Sequence, residues 1–92
     1  MDKHILERIA AAADLQDEPI PGMPLVEVAG DRRVLIEHHC GVTQYGRCQI
    51  SVRVKYGLVV IVGTGLELTR MTSQQLIITG KIDCIQLERS SK

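Results

Sequence analysis

Gly57-Leu-Val-Val-Ile-Val-Gly63-Thr-Gly65-Leu-Glu-Leu68 and, after a polar connection, Leu76-Ile-Ile-Thr-Gly80-Lys-Ile82-Asp-Cys-Ile85-Gln-Leu87 carry the fold of this chain. Both stretches set β-branched residues between glycines at strand-length intervals, the composition that fits a pleated surface better than a helix face. Leu58–Val62 is apolar at every position, which predicts a strand buried on both sides, with Val59 and Ile61 facing one way and Leu58, Val60 and Val62 the other.

Working outward, the preceding segment Cys48–Lys55 alternates cleanly. Ile50, Val52 and Val54 share one face, while Gln49, Ser51, Arg53 and Lys55 share a face that is expected to be wet. Further short strands are expected at Leu25–Ala29, Val34–His38, Gly41–Tyr45, Leu66–Arg70, Leu76–Thr79 and Lys81–Leu87. Gly30-Asp31, Tyr56-Gly57 and Thr64-Gly65 read as turns. Ile61-Val62-Gly63 and Ile78-Thr79-Gly80 echo each other seventeen residues apart. Two copies fall short of a solenoid, so these glycines mark bends or bulges.

The amino-terminal part differs. Ile5, Leu6, Ile9, Ala12 and Ala13 recur at spacings of three and four over residues 3–14, and Asp2 is placed to cap a helix there. Residues 15–24 hold all three prolines, Pro19, Pro21 and Pro24, and so form a hinge that neither helix nor central strand can cross. The expected organisation is an amphipathic helix at 1–14, a Pro-rich linker at 15–24, a β domain at 25–88 and a polar tail at 89–92. The fold class expected is mainly β: a small antiparallel meander folded as a sandwich or roll of about seven or eight short strands, with one N-terminal α-helix.

Composition narrows the function. With 92 residues, no Phe, no Trp and two tyrosines, the chain makes one domain around an aliphatic core. Eleven cations balance eleven carboxylates, with an acidic head on a more basic sheet; a nucleic-acid binder would be net basic and carry stacking aromatics. Three unpaired-looking cysteines, no signal peptide and no apolar run long enough to cross a membrane as a helix lead to the expectation of a soluble intracellular protein.

Candidate chemistry is sparse. Glu37-His38-His39-Cys40 juxtaposes metal-ligand types, but on a strand His38 and Cys40 would face one way and Glu37 and His39 the other, short of the four ligands of a structural zinc site. A Cys40–histidine nucleophile lacks an orienting third group. Gly63-Thr-Gly65 leads into Leu-Glu-Leu rather than a helix start, so it is not a phosphate loop. Arg47, Arg53, Lys55 and Arg70 read as charges that keep strand edges soluble. No cofactor, metal or small-molecule substrate is expected.

The order Val34-Leu-Ile-Glu-His-His-Cys-Gly-Val42, Tyr45, Ile50-Ser-Val-Arg-Val54, Gly57-Leu-Val-Val-Ile-Val-Gly-Thr-Gly-Leu66, Met71-Thr and Leu76-Ile-Ile-Thr-Gly-Lys-Ile82-Asp-Cys-Ile85 resembles the YabP/YqfC family of sporulation proteins of endospore-forming Firmicutes. It is closer to the YqfC branch, which also opens with a short helix and a proline-bearing linker, and the resemblance covers about residues 24–87. Cys40 stands where that family usually has a basic or polar residue. The resemblance implies a role in spore formation in the developing mother cell, beside membrane-associated sporulation partners, and no known reaction.

The expectation is therefore a non-enzymatic structural or assembly module, cytoplasmic in the mother cell, that works by self-association and partner contact. Its physical motive is the doubly apolar Leu58–Val62, since covering both faces needs the helix or a second copy. The candidate interaction surface is Ile5, Ile9, Arg53, Lys55, Leu58, Val60 and Val62. The alternative is a peripheral membrane or ligand-binding module using the amino-terminal helix and the basic strand face.

Overall fold

The computed structural model describes residues 22–90. The helix expected at 3–14, most of the linker, and Ile5 and Ile9 lie outside the described residues. Those described form six strands: β1 (Leu25–Ala29), β2 (Arg33–Glu37), β3 (Val42–Tyr45), β4 (Gln49–Val54), β5 (Gly57–Met71) and β6 (Gln75–Arg89). They make one antiparallel sheet in the order β1-β2-β6-β5-β4-β3.

This corrects the expected sandwich or roll of seven or eight short strands: the described residues form one open sheet of six. Among the described residues the protein is all β, and the excess arose from cutting two long strands at their glycines. Leu58–Val62 and Leu66–Arg70 are parts of the single β5, and Leu76–Thr79 and Lys81–Leu87 parts of the single β6. Thr64-Gly65 reverses nothing: the β5–β6 pairing runs on past it, with register shifts between Val62 and Gly63, Thr64 and Glu67, and Leu68 and Arg70. Bulges of this kind bend a ladder while keeping its direction.

The reason glycine stands at the bend is close backbone approach. A Cβ on Gly63 would land on the carbonyl oxygen of Lys81, and one on Gly80 would come within 2.7 Å of the carbonyl oxygen of Gly65. Matched hydrogen bonds mark the two corners. Gly63 N–H donates to Cys48 O at 3.0 Å and Leu66 N–H to Arg47 O at 2.8 Å; Gly80 N–H donates to Arg32 O at 3.2 Å and Ile82 N–H to Asp31 O at 2.7 Å. The seventeen-residue echo thus records two equivalent corners of one bent hairpin, which agrees with the bend reading and excludes a solenoid.

Each long strand changes neighbours at its corner. Residues 57–62 of β5 lie between β4 and the far end of β6, whereas residues 75–79 of β6 lie between β2 and the far end of β5. The sheet consequently has two halves: β3, β4, the start of β5 and the end of β6 in the first; β1, β2, the start of β6 and the end of β5 in the second. Their apolar faces meet in one cluster of Val34, Ile36, Ile50, Val52, Val54, Val59, Ile61, Leu66, Leu76, Ile78 and Ile82. A flat sheet would leave this face in water, so the bend supplies the core by folding the sheet over itself. The sheet stays open, because the outer strands β1 and β3 do not meet.

Candidate interaction surface

Directly opposed residues of an antiparallel ladder share a face, so register assigns every side chain of the first half to the core or to the outside. On the outside, three rows cross the strands: Arg53, Leu58 and Glu88; Ser51, Val60 and Gln86; Gln49, Val62 and Cys84. An apolar stripe, Leu58, Val60 and Val62, therefore runs down β5 between polar flanks. Of the residues singled out from the sequence, the fold places Arg53, Leu58, Val60 and Val62 together on this one face. Lys55 stands beside them in the β4–β5 turn.

The burial of this stripe is uneven. Leu58 and Val62 are half-buried, whereas Val60 is only 5 % exposed and its cross-strand partner Ser51 only 4 %, though neither belongs to the core cluster. The expectation of a wet outer face on β4 fails at Ser51, while Arg53 is exposed as expected. Near the end of the stripe lies a shallow hollow of about 460 Å³, lined among others by Arg53, Lys55, Leu58, Glu88, Arg89 and Ser90.

A second surface was not legible in the sequence. Val28, Tyr45, Met71 and Leu87 lie opposite Val34, Ile50, Leu76 and Val59, four buried core residues, and so sit on the core side of the sheet. All four are nonetheless exposed, Tyr45 by 59 % and Leu87 by 63 %. They stand on edge strands or on the stretches of β5 and β6 that have a neighbour on one side only. The apolar face of the core thus spills past its own rim at four places. Alternation marks these residues as core-facing, and only the position of each strand in the sheet shows why they stay exposed.

The Glu37-His38-His39-Cys40 run is built differently from the strand assumed for it. β2 ends at Glu37, and His38 takes a left-handed backbone with φ of 62°, so alternation of faces does not apply beyond that point. His39 ties the following loop: Gly41 N–H donates to Nδ1 at 3.0 Å, which leaves the proton on Nε2 to be donated to Thr72 O at 2.7 Å. Both ring nitrogens therefore serve the backbone. Glu37 Oε2 accepts from Gln75 Nε2 at 2.7 Å. Among the described residues no three His, Cys, Asp or Glu side chains group as metal ligands, and Cys40, Cys48 and Cys84 are free and exposed.

No curated protein and no solved structure matches this chain. The model of the YabP family matches residues 24–92, which takes in every strand of the sheet. With the bent β5–β6 hairpin and both flanking hairpins inside that match, the chain belongs to the YabP family, and this membership points to a sporulation-related protein.

Proposed function

We propose that this protein is a non-enzymatic assembly module of sporulation, acting in the cytoplasm of the developing mother cell by self-association and by contact with sporulation partners. The observation that carries the proposal is the apolar rim of Val28, Tyr45, Met71 and Leu87. Exposed apolar groups on unpaired strand edges favour pairing with another sheet, where backbone hydrogen bonds and apolar burial add together. A two-fold arrangement would place like edges side by side and close the assembly. Three exposed free thiols suit a reducing compartment.

Sedimentation velocity over a range of concentrations is the test. The wild-type chain is expected to associate in the micromolar range. L87K, and separately V28K, should shift association to concentrations at least tenfold higher while leaving the far-ultraviolet sheet signal intact. A wild-type chain that stays monomeric at high micromolar concentration overturns the proposal.

A further inference from the structure

The edges of the sheet are not equally open to another strand. Among the described residues four stretches have a neighbour on one side only: β1, β3, residues 67–71 of β5 and residues 83–89 of β6. β3 is four residues long and breaks register between Val42 and Gln44, and the end of β5 shifts register between Leu68 and Arg70. Bulges of this kind twist an edge away from a flat partner. β1 is regular, but a two-fold at its middle residue sets Glu27 against its own copy, and like charges directly opposed repel. The end of β6 is different. From Cys84 to Arg89 it pairs with β5 without a shift, and Gln86 to Arg89 are exposed. Resting on the self-association proposed above, we propose that two copies join through this edge of β6, antiparallel about a two-fold axis at Gln86, into one continuous sheet.

The backbone limits which registers are open. Ser90 N–H donates to Tyr56 O at 2.7 Å and so bonds toward β5; by the alternation of a ladder, Ile85, Leu87 and Arg89 present their N–H and C=O groups to the free side. A symmetric pairing must match these residues with one another. Centred on Gln86, it sets Ile85 opposite Leu87 of the second copy, and Arg89 opposite Asp83, the residue that the bulge leaves without a counterpart on β5. Ile85 and Leu87 oppose Ile61 and Val59, so they lie on the core side. The pairing therefore carries the apolar core face across the edge and covers Leu87, which is 63 % exposed. Centred on Ile85, the pairing would bring Arg89 to Lys81; centred on Leu87, it would bring Arg89 to Ile85. Of these three registers only the one at Gln86 joins apolar to apolar and cation to carboxylate.

The test is disulfide trapping in the full-length chain. Q86C and E88C are each placed in a background of C40S, C48S and C84S and oxidised with diamide. At the axis Gln86 faces its own copy as a non-hydrogen-bonded pair, with Cα atoms about 4.5 Å apart and within disulfide reach. The two copies of Glu88 lie roughly 13 Å apart along the strands. Q86C is expected to form covalent dimer, and E88C about tenfold less of it. D83R and R89D should each raise the dissociation constant of the dimer about tenfold with the sheet signal unchanged, and D83R/R89D should restore it, because the double reversal rebuilds the pair across the axis. Equal trapping of Q86C and E88C, or a double reversal no tighter than the single ones, would overturn the proposal. Sedimentation of the same samples separates the two ideas: a chain that associates without trapping Q86C keeps the assembly reading and loses this edge, whereas a chain that stays monomeric loses both.

Discussion

The two halves of the sheet are built by the same device and finished for different surroundings. Each has a flanking hairpin paired to the first part of a long strand, a glycine corner, and hydrogen bonds from the corner to the two residues before its neighbour. Their outer faces diverge. In the first half the central strand presents Leu58, Val60 and Val62. In the second, the rows are Leu25, Glu37 and Gln75, then Glu27, Leu35 and Ile77, with Glu37 bonded to Gln75. The inner faces had to be alike because they form one core. The outer faces were free to differ, and the first carries an apolar stripe down its central strand, with Val60 almost fully buried.

The largest effect should separate the inner face of β5 from its outer face. Ile61, fully buried in the core, changed to Asp would place an unpaired charge among aliphatic side chains, at a cost comparable to the whole stability of about 5–15 kcal/mol. I61D should lack a cooperative urea transition. V60D should remain folded, at lower stability, because its side chain lies on the outer face, outside the core cluster; an unfolded V60D would show that both faces are structurally one.

Next comes the contrast between two glycines of one corner. G63A drives a methyl group into the Lys81 carbonyl and should cost several kcal/mol, as strain at a tight backbone crossing does. At Gly65, with φ of 60° and open space around it, G65A should cost only about 1 kcal/mol for the left-handed conformation. Urea denaturation of the pair reads the difference directly. Equal losses would mean that the bend is held elsewhere.

The smallest effect belongs to the second half. Q75A removes the hydrogen bond to Glu37 on a partly exposed face and should lower stability by about 0.5–1.5 kcal/mol, with no change in the further loss that V60D causes. A change there would link two outer faces that the fold keeps apart.

Particular residues show where sequence suffices. Ile50, Val52 and Val54 were legible as core, because alternation on a strand fixes which side chains share a face whatever the partner. The pairing of Val59 with Ile61 against Leu58, Val60 and Val62 was legible for the same reason. Gly63 and Gly80 were recognisable as bends, but Thr64-Gly65 was misread as a reversal, since a bulge and a turn use the same residues and differ only in whether the partner strand continues. His39 illustrates the opposite limit: its two backbone partners come from the loop it sits in and from Thr72, a residue 33 positions away. Nothing local to Glu37-His38-His39-Cys40 could reveal that.

By itself, the sequence determined that this is an aliphatic β protein with alternating faces, glycine corners and the order of elements shared by the YabP family. Tertiary structure decided that eight apparent segments are six strands, that the sheet bends over itself to enclose its core, and that Val60 is hidden while Leu87 is bare. The physical reason is range. Alternation, propensity and steric freedom act within a few residues, whereas burial depends on which strands lie alongside and what lies over them, and that is settled only when distant parts of the chain have met.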